Sequence, residues 1–191
     1  MTSCAAIADG WRDKDGRRLP GLRKALGLPE GPIALAAFSA GGHLVRRVLE
    51  HPADRAEVLA VALADATYTT TWADPKTRKA APIEAFVAYA REAGAAGRIF
   101  VATASSAPNK QHPNGAEVLA AIAEAAGASR IAGEGELPVS VRGLPGARRG
   151  WALPGATFLD YGAAFGHDAH ATKLAREVWA RLVNPHFGGT A

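Results

Sequence analysis

Four short apolar runs separated by amphipathic segments restrict the fold of this chain more than any other sequence feature. The runs cover residues 33–38, 58–64, 98–104 and 156–161. Each has the length of a β-strand, is bounded by turn-forming residues and is apolar almost throughout. Strands of this kind are buried on both faces, which is typical of a parallel sheet covered by helices.

Helical periodicity in the intervening segments completes an alternating pattern. Apolar residues recur at helical spacing over 22–26, 42–50, 82–93, 114–126 and 170–183, and a weak strand is predicted over 4–8. The order (β)αβαβαβαβα predicts an α/β fold, a three-layer sandwich with a mostly parallel open sheet of about 4–6 strands. The part of the fold before the first apolar run is short. We predict a single domain over 1–191, with an irregular excursion over 133–154.

Composition excludes several classes of protein. The chain has 191 residues and one cysteine, Cys4, so it forms no internal disulfide and no multi-cysteine zinc site. Its net charge of +4 is spread along the chain as isolated Arg pairs rather than concentrated, which argues against nucleic-acid binding. No apolar stretch is long enough to span a membrane, and the first residues do not resemble a signal peptide. We therefore expect a cytoplasmic protein without a cofactor or resident metal.

Chemically useful side chains follow the apolar runs at the points where the strands should end. Ser39 follows the first run, Asp65 the second, and His167 and His170 the fourth. Ligands of open α/β sheets collect at the carboxyl ends of the strands. A serine, a carboxylate and an imidazole are therefore expected at one edge of the sheet, in the order Ser, Asp, His.

The segment around Ser39 has the composition of a sharp turn from strand to helix. Ala37 and Gly41 stand two residues before and two residues after Ser39, and small residues there let strand and helix approach closely. A serine on such a turn projects its Oγ above the sheet. The amide of the next residue, Ala40, is then placed to donate to an oxyanion at a helix N-terminus.

These residues resemble the nucleophile elbow of the α/β-hydrolase superfamily. The elbow of that family reads Gly-x-Ser-x-Gly, and here Ala37 stands where the first glycine would be. The resemblance extends over about 32–183. It implies a serine nucleophile at Ser39 and a histidine base in the loop after the last strand.

The resemblance places the base at the mouth of the last helix, where His170 fits best and His167 is the alternative. Histidine is the residue whose ordinary pKa allows proton exchange near neutral pH. Asp65 is the expected acid, because a carboxylate at the end of an apolar run needs a donor such as an imidazole N–H. A metal site made of His167 and His170 is a further reading of the same segment.

The loop after the third run is expected to line the same mouth. Ser106, Asn109 and His112 are its candidate substrate contacts.

The sequence thus predicts a serine hydrolase that acts on an ester or related acyl bond through Ser39, His170 and Asp65. Two alternatives remain open. One is an inactive α/β module that uses the pocket for binding. The other is a phosphate- or nucleotide-binding domain around Gly41 and Gly42. A shortened sheet would expose an edge strand, which would allow self-association into a homo-oligomer.

Overall fold

The computed structural model of the chain describes residues 4–67, 71–74, 79–81, 83–106, 113–131, 147–163 and 165–180. The strands are β1 Ile33–Phe38, β2 Val58–Ala64, β3 Thr71–Asp74, β4 Lys79–Ala81, β5 Ile99–Ala104, β6 Ser129–Ile131, β7 Arg149–Leu153 and β8 Ala156–Asp160. The helices are α1 Cys4–Gly10, α2 Leu19–Leu26, α3 Gly41–Leu49, α4 Pro52–Glu57, α5 Glu84–Ala93, α6 Gly115–Ala126, α7 His167–Ala169 and α8 Ala175–Val178. A π-helical turn, His170–Leu174, joins α7 to α8.

A six-stranded sheet in the order β1-β2-β5-β8-β7-β6 forms the middle of the molecule. The first four strands are parallel to one another, whereas β7 runs antiparallel to both β8 and β6. The predicted α/β class and mostly parallel sheet are confirmed. Strands β3 and β4 form a separate antiparallel pair.

The order of the parallel strands explains where the helices lie. Because β1, β2, β5 and β8 are added in one direction, right-handed crossovers place their connecting helices on the same face. Helices α3, α5 and α6 do share one apolar core, which also contains Phe86, Phe100 and Phe158. The segment after β8 covers the other face, where Leu174 and Val178 pack on Val101 and Leu159. The sheet therefore has helices on both sides.

Three parts of the fold differ from the expectations. Residues 4–8 belong to a helix, not to a strand. The predicted excursion over 133–154 contains β7, which extends the sheet beyond β8 as an antiparallel strand. The last helix begins at His167, three residues earlier than expected. Most of the excursion lies outside the described residues. Within them, no helix is both long and apolar enough to cross a membrane.

Asp54, a residue of α4, connects that helix to the start of α2. Its carboxylate is fully buried and accepts hydrogen bonds from the amides of Arg18 (2.6 Å) and Leu19 (3.0 Å) and from Nε of Arg17 (2.8 Å). The two amides belong to the helix terminus, where N–H groups have no partner within the helix. A buried anion thus stabilises the N-terminus of α2, which carries no side-chain cap of its own.

Replacing Asp54 with alanine should destabilise the fold strongly. The substitution leaves two buried amides and the Nε of Arg17 without their acceptor, so we expect a loss of about 3 kcal/mol in the free energy of unfolding. Urea denaturation measures this loss. Asp15→Ala, at an exposed position, is the control and should change stability by less than about 0.5 kcal/mol. Equal stabilities of the two variants would contradict the assigned role.

Candidate active site

The turn that carries Ser39 is as sharp as the sequence predicts. Strand β1 ends at Phe38 and helix α3 begins at Gly41, so only two residues reverse the direction of the chain. Ser39 has a φ of 55°, in the left-handed region that side chains other than glycine seldom adopt. Strain of this kind persists only where the surroundings enforce it, and it concentrates at functional sites.

The surroundings that enforce this turn are close backbone contacts. A Cβ atom on Gly42 would overlap the carbonyl group of Ala66, so glycine alone lets α3 approach the chain that leaves β2. A Cβ on Gly41 would stand 3.4 Å from the Cβ of Ala37, in ordinary van der Waals contact. The close approach therefore requires glycine at position 42, whereas position 41 has room for a Cβ.

Asp65 lies next to this turn because its strand is the direct neighbour of β1. Phe38 pairs with Ala64 in the sheet, so the residues that follow them, Ser39 and Asp65, are adjacent at one edge. Asp65 also has a positive φ, of 44°, and its side chain is fully buried. Two successive strand ends thus carry strained polar residues side by side.

Three donors surround the buried carboxylate of Asp65. The amide of Ser105 donates to Oδ1 (2.9 Å), the hydroxyl of Ser105 donates to Oδ2 (2.7 Å), and Nδ1 of His167 lies 2.7 Å from the same Oδ2. A Cβ on Gly115, the first residue of α6, would come within 2.6 Å of Oδ1. The positive end of that helix favours a negative charge at this place.

His167 bridges the Asp65 carboxylate and the strand that leads to Ser39. Its ring stacks on the ring of Phe38, with 4.5 Å between centroids, and its side chain is 36% exposed. The hydrogen bond to Asp65 fixes the proton on Nδ1 and leaves Nε2 as the basic nitrogen. An oriented, accessible imidazole therefore stands beside the residue that precedes Ser39.

His170 does not lie at the mouth of the last helix beside Asp65, as the sequence predicts. It is fully buried, and its Nδ1 lies 2.9 Å from the hydroxyl of Thr103 instead of contacting Asp65. The rings of Tyr161 and Phe165 enclose it edge-on. The expected contact of Asp65 with His170 is therefore replaced by a contact with His167, because the last helix begins one turn earlier than predicted.

Burial lowers the pKa of His170 below its ordinary value. The charge of Asp65, the carbonyl of Phe165 and the charge of Asp160 oppose this shift. His170 is thus neutral near pH 7, with its ring held in the core rather than at the mouth of the site.

The remaining predicted residues divide into three groups. Ala40 is exposed, and no acceptor among the described residues takes its amide, whereas the amides of Gly42 and His43 bond back into the turn. Ser106 is half-buried and donates its hydroxyl to Oδ1 of Asp160 (2.9 Å). Asn109 and His112 lie outside the described residues.

Ser105 is the site residue that the sequence reading did not assign. It directly follows β5, so its position at a strand end was visible, but nothing in the sequence indicated that both of its donors meet Asp65.

The described part of the chain contains no cluster of three His, Cys, Asp or Glu side chains able to hold a metal ion. The chain matches no protein-family model, no curated protein and no solved structure.

The backbone strain at Ser39 predicts an unusual order of stabilities. Ser39→Gly should be more stable than Ser39→Ala by about 1 kcal/mol, because glycine adopts a positive φ at no steric cost. Both variants lack the hydroxyl, so the difference reports the backbone alone. Urea denaturation of the pair measures it. An alanine variant as stable as the glycine variant would argue against a strained turn.

The lowered pKa of His170 predicts a loss of stability in acid. The unfolded chain binds a proton near pH 6.5, whereas folded His170 binds it only at lower pH, so stability falls as pH drops through about 6.5. His43, whose pKa is also lowered by burial, contributes in the same direction. Urea denaturation at pH 5.0 and 7.5 should give a smaller difference for His170→Asn than for wild type. An unchanged difference would contradict this assignment.

Proposed function

We propose that this chain is a serine hydrolase that cleaves an ester or a related acyl bond through Ser39, His167 and Asp65. The observation that carries the proposal is the 2.7 Å contact between Asp65 Oδ2 and His167 Nδ1, beside the strained turn of Ser39. Supporting it are the buried carboxylate, the accessible imidazole and a serine on a tight turn from strand to helix. His167 takes the role that the sequence reading gave to His170.

In this mechanism His167 moves the proton and Asp65 holds the ring. Nε2 of His167 takes the hydroxyl proton of Ser39 while Oγ bonds to the acyl carbon, and the carbonyl electron pair moves onto oxygen. Collapse of the tetrahedral adduct breaks the bond to the leaving alcohol, which receives the proton from His167. Water then repeats both steps and releases the acid.

Two further features of the site suit this chemistry. The Asp65 carboxylate stabilises the imidazolium that forms in each step, and its two bonds from Ser105 keep it aligned. The Ala40 amide, at the start of α3, is the donor we assign to the developing oxyanion. A phosphate cradle at Gly41 and Gly42 is less favoured, because the Gly42 amide already donates to Ser39 O (3.1 Å).

A fluorophosphonate probe tests the proposal directly. Wild-type protein should gain one covalent adduct at Ser39, located by peptide mass spectrometry, and Ser39→Ala should gain none. His167→Gln should slow labelling about 10³-fold or more, because the hydroxyl loses its base. Hydrolysis of short p-nitrophenyl esters should fall in the same variants.

A control variant shows whether loss of labelling is specific to the proposed base. His51→Gln changes a histidine that precedes α4, at the opposite edge of the sheet, and should label like wild type. Absence of labelling in folded wild-type protein, with no ester hydrolysis, would exclude the hydrolase. The same result would favour the non-enzymatic binding module.

A further inference from the structure

A second histidine, His170, lies in the helical turn that begins with His167 and, unlike it, is buried. His170 follows it by three residues, within the same stretch of helix, and starts the π-helical turn that joins α7 to α8. Its side chain is fully buried, and its Nδ1 lies 2.9 Å from the Thr103 hydroxyl. A directional bond thus fixes this helical turn within an otherwise apolar layer.

Thr103 connects the same helical turn to Asp65. Its carbonyl accepts the Asp65 amide at 2.9 Å, and its hydroxyl lies within 3.4 Å of the Leu63 carbonyl, to which it donates. The same hydroxyl forms its shorter contact, of 2.9 Å, with Nδ1 of His170. One strand residue therefore holds the backbone of Asp65 through its carbonyl and the helix of His167 through its hydroxyl.

We propose that His170 is a positioning residue, whose bond to Thr103 keeps Nδ1 of His167 on Oδ2 of Asp65. This inference rests on the proposed function, because positioning matters only if His167 is the base. Apolar packing by Leu174 and Val178 presses the helical segment onto the sheet and sets the face it presents, but it places no directional constraint on the first turn. The His170–Thr103 bond supplies that constraint, one helical turn from the reacting group.

The energetics of buried hydrogen bonds favour a positioning role over a purely structural one. A buried polar pair seldom adds more to stability than an apolar pair of the same shape, since both partners must leave water. What a hydrogen bond adds is direction. Displacement of a reacting group by about 1 Å can cost about 10²-fold in rate. A directional bond next to His167 therefore affects the position of the base, on which the rate depends most.

The test pairs Thr103→Val, which removes the hydroxyl but keeps the shape, with Thr103→Ser, which keeps the hydroxyl. Thr103→Val should slow fluorophosphonate labelling at Ser39 by about 10- to 100-fold, and Thr103→Ser should restore most of the rate. Thr157→Val, a buried threonine on neighbouring β8, is the matched control and should label like wild type. His170→Asn provides a second route to the same loss if Thr103→Val does not fold.

A second measurement does not depend on activity. The Nδ1 proton of His167, bound to Asp65, should give a downfield proton resonance in wild type that is lost or shifted in Thr103→Val and kept in Thr103→Ser. Unchanged labelling and an unchanged resonance in folded Thr103→Val would overturn the positioning role. If wild-type protein does not label at all, the hydrolase fails, and the resonance alone still decides whether His170 orients His167.

Discussion

The buried carboxylate of Asp65 is the group on which the rest of the site depends. A carboxylate without water must be surrounded by donors, and here it takes an amide and a hydroxyl from Ser105 and a ring nitrogen from His167. Asp65 follows β2, Ser105 follows β5 and His167 begins the last helical segment, so one desolvated charge determines how three elements meet. Removing any donor would leave part of that charge unpaired. We therefore expect the hydrogen bonds of the cluster to depend on one another.

The topology of the sheet explains why these groups can meet at all. Parallel strands end at the same edge, and β1, β2 and β5 are consecutive neighbours, so the residues that follow them are a strand spacing apart. The positive φ of Ser39 and of Asp65 turns both chains abruptly at that edge. The chain after β8 then crosses to the other face, and its first helical turn brings His167 back over the ends of β1 and β2.

Much of this arrangement could be predicted from residues near one another in sequence. The apolar runs gave all four parallel strands, and the small residues around Ser39 predicted its turn. Strand β7 was missed because its segment is rich in Gly, Pro and Arg and lacks a continuous apolar run. It forms because β8 offers an edge with which it can pair, and a long-range pairing of this kind leaves little local signal.

The choice between His167 and His170 shows a different limit of prediction from sequence. Leu174 suggested that His170 stands at the mouth of the last helix, but His170, Leu174 and Val178 recur every four residues and are all buried. The same periodicity therefore predicted that His170 faces the core. Gly166, with an extended backbone, precedes the true start of the helix and could have placed its first turn at His167.

The position of Ser39 after the outermost strand has a structural consequence. Among the described residues β1 pairs only with β2, so the sheet supports the turn of Ser39 from one side. On the other side, support comes from α3, which Gly42 allows to lie against the Ala66 carbonyl. The strain at Ser39 is therefore maintained by helix packing as much as by strand pairing. A larger residue at position 42 would push α3 away and relax the turn that carries Ser39, even though it does not touch that residue.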